Sequence, residues 1–280
     1  MPRFGGTAAN RRIAVVLSFD FDAESVWLGG LNTNTPSALS RGAYAANEGV
    51  PRVLKLLGEY DLPATFFIPG YTAEIHPNET KAISDGGFEI GHHGYMHEPP
   101  TSLTHDEERV MIERGIDALV NVTGKAPVGY RSPSWELSPS TFSLLAEHGI
   151  TYDASQLGAD RPYWVVDGGK RTDIVEVPSA WELCDSAHFW FSFFPTYRTG
   201  LSAPSKVAEI WREDFAGAYE ESGDICYVLT MHPELIGRHH RLRMLRGVLD
   251  YILEHDNVWF ATMGELAEDF RTRSQATAVI

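Results

Sequence analysis

Two histidines in the run Gly91-His-His-Gly-Tyr-Met-His-Glu98 have the residue type and the spacing of metal ligands. His93 and His97 stand four residues apart and follow a short apolar segment. If a helical turn begins there, residues at positions i and i+4 share one face. Two imidazoles on one face can chelate a divalent ion such as zinc. The pair alone leaves an alternative open, in which one histidine is exposed and the other is packed.

Two aspartates follow an apolar segment near the N-terminus. The segment Ile13–Phe19 is typical of a buried strand, and Asp20 and Asp22 come directly after it. On an extended backbone, residues two apart point the same way, so both carboxylates can face one pocket. Two buried like charges need cations beside them to stay ionised, and a metal ion and an arginine would supply these. The alternative is a pair of loop carboxylates that cap backbone N–H groups.

An arginine and a histidine follow two further predicted strands. Arg131 lies in the run Tyr130-Arg-Ser-Pro-Ser-Trp135, where Pro133 favours an extended backbone before it and would hold the guanidinium in a fixed direction. His232 follows the apolar strand predicted at 226–231. The arginine could instead lie at the surface, and the histidine could be a satisfied core residue.

Strand and helix patterns alternate along the chain seven or eight times, with no long linker. The predicted strands are 13–19, 64–68, 88–91, 128–130, 151–153, 174–177, 226–231 and 258–261. The predicted helices are 50–60, 80–84, 104–123, 138–149, 205–221, 241–254 and a last helix opened by a capping box at Thr262. This alternation predicts one α/β domain over residues 1–280, with a core at about 11–270 and a parallel (β/α) barrel of seven or eight strands.

A doubly wound open sheet is the alternative architecture, although the first helix lacks a Gly-rich phosphate loop. In parallel barrels the catalytic groups lie at the carboxyl ends of the strands. We therefore expect the two aspartates, the two histidines, Arg131 and His232 to converge at one rim.

The composition restricts the partners of the chain. Its net charge of −15 argues against nucleic acid and against an anionic membrane surface, which both require basic patches. The N-terminal segment shows no apolar signal-peptide region, and no apolar run approaches the ~20 residues of a membrane span. These features predict a cytoplasmic protein without membrane partners. Cys184 and Cys226 do not form a disulfide framework, and Cys226 is predicted to be a core thiol.

The segment 178–204 is rich in aromatic residues and has no clear helical pattern. Its aromatic residues are Trp181, Phe189, Trp190, Phe191, Phe193, Phe194 and Tyr197. We expect this segment either to wall the site or to pack on another subunit. Because apolar patches on soluble proteins tend to mark interfaces, the segment predicts a homo-oligomer, either a dimer or a tetramer.

Taken together, these segments resemble the motifs of the polysaccharide deacetylase family, the NodB-homology domain of the family-four carbohydrate esterases. The matching segments are Ser18-Phe-Asp-Phe-Asp22, His93-Gly-Tyr-Met-His97, Arg131-Ser-Pro-Ser134 and Leu229-Thr-Met-His232. They occur in the family's order and span most of the chain. The resemblance is to the intracellular branch of peptidoglycan-deacetylase-like proteins, which also contains metal-independent ureide and imide hydrolases.

The resemblance implies a distorted (β/α) barrel of NodB-homology type and a divalent metal, usually zinc. It implies that the metal ligands are Asp22, His93 and His97. It also implies that Asp20 is the general base, that His232 is the general acid and that Arg131 positions Asp20. We expect the substrate to contact Ser134, Trp135 and Trp181.

The chain departs from the family pattern at three places. Phe21 separates the two aspartates, which are usually adjacent in the family. In the third motif Ser134 follows the proline, and the usual aromatic residue comes one position later. The Asp–Trp segment that usually supports the general acid is not recognisable, which leaves Asp173 and Asp185 as candidates for that support.

Three functions are compatible with this sequence. The first is metal-dependent hydrolysis of a non-peptide C–N bond, with removal of the acetyl group from an N-acetylated sugar or a related amide. The second is the opening of a cyclic imide or ureide on the same scaffold. The third is a catalytically idle, metal-stabilised binding protein, which the presence of both a candidate base and a candidate acid argues against.

Overall fold

The first strand, β1 (Ile13–Asp20), is buried along its whole length. Its side chains alternate between two core clusters: Val15 and Leu17 belong to one cluster, whereas Ala14 and Val16 belong to the other. A strand that is covered on both faces reads as a continuous apolar run and is typical of a parallel sheet between layers of helices. The sequence of β1 therefore already places it at the centre of the fold.

The structure is a computed structural model that describes residues 6–277, with side chains as far as residue 275. After β1, the strands are β2 (Thr65–Ile68), β3 (Glu89–His92), β4 (Gly129–Tyr130), β5 (Tyr152–Asp153), β6 (Tyr163–Asp167), β7 (Lys170–Glu176), β8 (Phe191–Ser192), β9 (Arg198–Thr199), β10 (Cys226–Met231) and β11 (Val258–Ala261). The first five residues, which belong to the N-terminal segment discussed above, lie outside the described part of the chain.

The helices cover both faces of the sheet. They are α1 (Pro36–Tyr44), α2 (Val50–Tyr60), α3 (Gly70–Ile75), α4 (Pro77–Asp85), α5 (His105–Thr123), α6 (Thr141–Glu147), α7 (Asp185–Phe189), α8 (Pro204–Glu221), α9 (Pro233–Ile236), α10 (His239–Leu253) and α11 (Met263–Thr277). Two π-helical turns (Val26–Gly30 and Ala45–Gly49) and three 3-10 turns (Pro100–Ser102, Pro133–Trp135 and Trp181–Leu183) complete them.

The main sheet is a curled half barrel. Its path runs β10-β1-β2-β3-β4-β5-β7-β6, and β11 pairs with the first half of β1. Every pairing in this sheet is parallel except that of β6 with β7. Within the described residues, no strand pairing joins β6 to β10, so the barrel stays open at that side. This is the distorted α/β barrel that the sequence predicts.

The antiparallel strand β6 was not predicted. Gly168 and Gly169 lie between the paired residues Asp167 and Lys170, and both have positive φ angles (53° and 77°). A two-residue Gly-Gly connection of this kind favours a β-hairpin, because it matches the twist of the two strands. The signal was therefore present in the sequence, and the expectation of a purely parallel sheet was wrong at this edge.

Helix limits agree with the predictions at most positions. The capping box at Thr104 is present, and α5 ends at Gly124, which has φ 73°. The prediction at Ser138 was wrong, because α6 begins only at Thr141. The hydroxyl of Ser138 instead accepts a hydrogen bond from the backbone N–H of Ser140, at 2.9 Å, in a local turn that precedes the helix.

The aromatic segment forms a compact excursion with its own short elements. It contains α7 and the small sheet of β8 and β9. Beyond them, Phe193, Phe194 and Tyr197 are exposed, with 81%, 62% and 63% of their surface accessible. This exposed apolar surface supports the prediction of an oligomer contact, which stays a prediction. Among the described residues, no helix combines the length and the apolar content that crossing a bilayer requires.

Two buried carboxyl groups face each other across β5 and β7. Asp153 pairs with Glu176 in the strand register, and both side chains are fully buried. Burial raises the pKa of both carboxyl groups, and for Glu176 the charge of Asp153 raises the pKa further. A raised pKa means that the folded protein binds the proton more tightly than the unfolded chain does. The free energy of unfolding is therefore highest below the unfolded-state pKa of about 4.3 and falls as the pH rises towards the folded-state pKa.

Replacing one of these carboxyls by an amide should therefore stabilise the protein at high pH. We expect Glu176→Gln to raise the melting temperature at pH 8 by roughly 2–4 °C, which corresponds to about 1 kcal/mol for a chain of this size. At pH 5 the change should be smaller, and differential scanning calorimetry at both pH values measures it. Asp173→Asn, at an exposed position of the same strand, is the matched control. An equal shift at the two pH values would contradict the raised pKa.

Candidate active site

The parallel register brings the carboxyl ends of several strands to one rim. Phe19 pairs with Met231, Asp20 with Phe67, and His92 with Tyr130, so β10, β1, β2, β3 and β4 end near one another. The polar residues that follow these strand ends line one cavity of about 200 Å³. Eight of the nine predicted site residues line it, namely Asp20, Asp22, His93, His97, Ser134, Trp135, Trp181 and His232. The ninth, Arg131, lies behind the cavity wall.

Arg131 is fully buried and holds Asp20 in place. Its Nη1 donates a hydrogen bond to Asp20 Oδ1 at 2.6 Å, and its Nε donates to the carbonyl oxygen of Ala154 at 3.1 Å. Its guanidinium also stacks over the Phe67 ring, 4.3 Å from the ring centroid. These contacts contradict the alternative of a surface arginine. A buried charge pair with additional hydrogen bonds has one defined geometry, because breaking it would leave an unpaired charge in the core.

Asp22, His93 and His97 present three ligand atoms to one point. His93 Nε2 lies 3.4 Å from Asp22 Oδ1, and His97 Nε2 lies 3.6 Å from Asp22 Oδ2. Both separations are longer than an ordinary hydrogen bond. They are close to the edge of a tetrahedron around zinc, which is about 3.3 Å for ligand bonds of about 2.0–2.1 Å. The three residues therefore fit a divalent metal ion, as the sequence predicts.

The surroundings of these three residues also fit a cation. His93 Nδ1 donates to the carbonyl oxygen of Arg131 at 2.6 Å, which directs Nε2 towards Asp22. Within the described residues, Asp22 Oδ1 is buried and has no hydrogen-bond partner. Burial opposes the charge on Asp22, but the nearby imidazoles of His97 and His93 outweigh it and hold the pKa of that carboxyl below its usual range.

Burial lowers the pKa of His97 to about 4, so its imidazole is neutral near pH 7. Burial also opposes protonation of His93, but its interaction with the Asp22 carboxylate outweighs burial and raises the pKa of His93. The pocket thus favours one positive charge next to Asp22. A divalent ion would supply that charge in place of a proton.

His93 and His97 do not lie on a helical turn, so it is not helix geometry that places them on one side. The chain after β3 forms a loop in which Gly94 and His97 have φ angles of 74° and 60°. This reversal brings the two imidazole rings to a centroid distance of 5.0 Å. The loop packs against Gly30, where a Cβ atom would lie only 2.9 Å from His97 Nδ1. A larger residue at that position would displace the histidine.

His92, the last residue of β3, makes structural hydrogen bonds. Its Nε2 donates to the carbonyl oxygen of Ile112 at 3.1 Å, and its Nδ1 accepts from the backbone N–H of Gly94 at 3.1 Å. Burial lowers the pKa of His92 to about 3, so the ring stays neutral.

His232 faces the carboxylates from the opposite side of the cavity. Its Nε2 lies 3.9 Å from Asp20 Oδ2 and 3.8 Å from Asp22 Oδ2. Its Nδ1 donates to Asp185 Oδ1 at 2.7 Å, and its backbone N–H donates to Asp185 Oδ2 at 3.0 Å. Burial opposes protonation of the imidazole, but the Asp185 carboxylate outweighs burial and raises the pKa of His232 well above 6.5.

Asp185 is thus the partner of His232, whereas Asp173 lies exposed on β7. The sequence offered no stronger signal for Asp185, because the residue begins a five-residue helix within the aromatic excursion. Only the packing of that excursion on β10, through the pairing of Cys184 with Thr230, brings the carboxylate to the histidine. The buried thiol of Cys184 lines the same cavity and was also missed.

Aromatic side chains form the mouth of the cavity. Trp135 and Trp181 lie against each other with ring centroids 4.3 Å apart, and Trp190 adds a further wall. Ser134 and Trp135 both have a φ angle of 58°, a left-handed conformation that turns this loop over the cavity. Arg198, from β9, adds a cationic side chain to the lining.

Comparisons with known proteins agree with this geometry. The family model for polysaccharide deacetylase matches residues 11–152. A peptidoglycan deacetylase of Helicobacter pylori is 34% identical over 94% of this chain and 98% of its own length. A peptidoglycan deacetylase-like protein of Gibberella zeae is 32% identical over 94% of this chain and 87% of its own.

Two solved structures share the architecture. A Mycobacterium smegmatis protein assigned as a polysaccharide deacetylase superposes with a TM-score of 0.89 and 37% identity, over 98% of this chain and 96% of its own. The Puue allantoinase superposes with a TM-score of 0.80 and 25% identity, over 94% of this chain and 92% of its own. The chain belongs to the polysaccharide deacetylase family. It is a hydrolase that acts on carbon–nitrogen bonds other than peptide bonds.

The contact between Asp185 and His232 can be tested without substrate. In protein stripped of divalent metal, we expect the His232 imidazole to titrate above pH 6.5 when followed by NMR of its ring protons. Asp185→Asn should lower that pKa by about one unit or more, since it removes the neighbouring negative charge. Asp173→Asn should leave the pKa of His232 unchanged. An unaltered titration in Asp185→Asn would show that another group controls the imidazole.

Proposed function

We propose that this protein is a metal-dependent deacetylase that acts on an N-acetylated sugar or a related amide. The observation that carries the proposal is the meeting of Asp20, Asp22, His93, His97 and His232 in one buried cavity. We also propose that residues 1–280 form a single catalytic domain. The pairing of the first strand with the last, β1 with β11, supports this, because it ties both ends of the described chain into one sheet.

The proposed ligands are Asp22, His93 and His97, and zinc is the ion that this donor set suits. When bound there, zinc would polarise the acyl carbonyl and lower the pKa of a water molecule towards about 7. The neutral imidazole of His97, whose pKa burial lowers to about 4, and the unpartnered oxygen of Asp22 support the assignment.

Asp20 is proposed as the general base. Arg131 occupies Oδ1 of its carboxylate, so Oδ2 is the oxygen that faces His232 and the cavity. A carboxylate in this position can take a proton from the attacking water, while the arginine fixes its direction. The arginine therefore acts as a positioning residue.

His232 is proposed as the general acid. Its Nδ1 proton is held by Asp185, so Nε2 is the atom that can deliver a proton to the leaving amine. A backbone N–H near Ser134 would stabilise the developing oxyanion. The products are then acetate and a free amine. Trp135 and Trp181 would contact the body of the substrate from the cavity mouth.

A cyclic imide or ureide amidohydrolase is the second candidate. The similarity to the Puue allantoinase favours it, and so does a cavity of about 200 Å³, which suits a small ring. The same base, acid and metal ligands would serve this reaction. Assays of acetate release from N-acetylglucosamine and its oligomers, beside ring opening of allantoin and succinimide, distinguish the two. Acetate release is expected, and ring opening without acetate release would replace the first proposal by the second.

The two aspartates should separate metal binding from turnover. Protein purified without chelators should contain about one divalent ion per chain, measured by elemental analysis. Asp22→Asn should lose most of this metal, because it removes a ligand. Asp20→Asn should keep the metal and lose most of the turnover, because it removes only the base. The reverse pattern would exchange the two roles across Phe21, and metal-free wild-type protein that zinc or cobalt does not activate would refute the metal site.

The acid role of His232 predicts a dependence on the leaving group. We expect His232→Ala to lower kcat by roughly 10²–10⁴-fold, the range typical of lost acid–base catalysis. The loss should shrink on an activated aryl acetate, because that leaving group needs less protonation. Metal content should barely change. Equal loss on the aryl acetate and on an N-acetyl amine would argue against the acid role, and loss of the metal would make His232 a ligand.

A further inference from the structure

A second cavity lies behind the wall of the catalytic pocket. It has a volume of about 460 Å³, and Trp190 lines both cavities. Its apolar walls include Trp27, Phe189 and Leu235, and its polar residues are Arg41, Glu234, Arg238, His240 and Arg241. None of these polar residues has a place in the proposed mechanism. Leu201 and His240 of the lining are exposed, so the cavity opens to solvent, and apolar walls with a few convergent polar groups are typical of small-molecule sites.

Three arginines of this cavity are held in fixed positions. Arg41 donates to the carbonyl oxygen of Phe191 at 2.6 Å and stacks over Trp27 at 4.6 Å. Arg241 is 5% exposed, donates to the carbonyl oxygen of Leu235 at 3.0 Å and stacks over Phe189 at 4.4 Å. Arg238 stacks over Tyr44 at 3.4 Å. These contacts preorganise the guanidiniums, so a ligand would lose little of its binding energy in ordering them.

Several buried polar atoms of the lining residues lack partners. Among the described residues, no hydrogen-bond partner is found for either carboxyl oxygen of Glu234, for Nε of Arg241, or for the indole nitrogens of Trp27 and Trp190. All four side chains are more than nine-tenths buried. Unpaired polar atoms in a core cost free energy unless another group satisfies them. The donors among them, Nε of Arg241 and the two indole nitrogens, are of the kind that an acceptor satisfies, whereas the oxygens of Glu234 would need a donor.

The cations of the cavity are not neutralised at close range. Within the described residues, no carboxylate lies within ion-pair distance of Arg41, Arg238 or Arg241. Burial lowers the pKa of Arg41 and of Arg241; the charge of Glu234 opposes this shift for Arg41 and the charge of Asp185 opposes it for Arg241, whereas the charge of Arg238 lowers both pKa values further. Like charges thus crowd together in a chain whose net charge is −15. An anion would relieve this repulsion.

We propose that this cavity is a binding site for a small organic carboxylate with an apolar body, separate from the catalytic pocket. Guanidinium groups bind carboxylates through paired, charge-assisted hydrogen bonds. The aromatic and aliphatic walls select a ligand with an apolar portion over a bare inorganic anion. Binding is noncovalent, and charge and shape complementarity determine which ligand binds.

Calorimetric titration of the full chain with benzoate tests this site. We expect binding of one benzoate per chain, and at least tenfold weaker binding in Arg41→Gln and in Arg238→Gln, the loss expected for a removed charge-assisted hydrogen bond. Arg243→Gln makes the same charge change at an exposed position of α10 and should bind benzoate like the wild type. Benzyl alcohol lacks the carboxylate and inorganic phosphate lacks the apolar body. Both should therefore bind at least tenfold more weakly than benzoate.

A second arginine variant distinguishes the two cavities. Arg198 lines only the catalytic pocket, so Arg198→Gln should leave benzoate binding unchanged. Melting temperatures of all variants show that each one is folded. The proposal is overturned if benzoate fails to bind at about 10 mM, if Arg198→Gln weakens binding while Arg238→Gln does not, or if phosphate binds as tightly as benzoate. None of these outcomes depends on whether the protein is a deacetylase.

Discussion

Two carboxylates two residues apart must coexist in a buried pocket, and the rest of the site follows from that constraint. Asp20 and Asp22 are 2% and 1% exposed, so water does little to screen their mutual repulsion. Each of the two aspartates therefore has its own positively charged or proton-donating neighbours. Arg131 pairs with Asp20, and the imidazoles of His93 and His97 surround Asp22. Of the two aspartates, Asp22 is the one whose surroundings fit a metal ion. This difference supports the proposed roles, in which Asp22 binds the metal and Asp20 accepts a proton.

The second constraint is the direction of His232. A histidine with a carboxylate on each side could point to either one. Asp185 removes this freedom, because it accepts from both the ring Nδ1 and the backbone N–H of the same residue. The ring nitrogen that faces the cavity is then fixed as Nε2. The aromatic excursion that carries Asp185 is thus part of the proposed catalytic arrangement as well as part of the cavity wall.

The same excursion separates two cavities of different character. On one side of Trp190 lies the pocket with the aspartates and histidines, and on the other side lies the cavity with the three arginines. The helix α9 follows His232 directly, and the carbonyl oxygen of His232 accepts from the backbone N–H groups of Leu235 and Ile236, both at 2.8 Å. The proposed acid and the proposed carboxylate site are thus built on one short stretch of chain.

Much of the site could be predicted from the sequence because it depends on strand ends. Asp20 is the last residue of β1, Asp22 lies two residues beyond it, and Arg131 and His232 directly follow β4 and β10. Parallel strands in register bring such positions together whatever lies between them. Local signals of this kind, like the capping box at Thr104, are carried by residues close in sequence. For that reason the fold class and the meeting of these four residues at one rim could be predicted from the sequence, whereas their catalytic and metal-binding roles rest on the family resemblance and stay proposals.

Other features were decided only by tertiary structure. The pairing of His93 and His97 by a helical turn was only one arrangement that their spacing allowed, and the left-handed residues Gly94 and His97 and the close approach of Gly30 set the actual shape of the loop. Asp185 had no distinguishing pattern of its own, and its role arises from the packing of a segment 47 residues away in sequence from His232. The sequence by itself determined which residues end the strands, because strand periodicity is local. The partner of the histidine and the second cavity depend on contacts between distant segments, which no local pattern encodes.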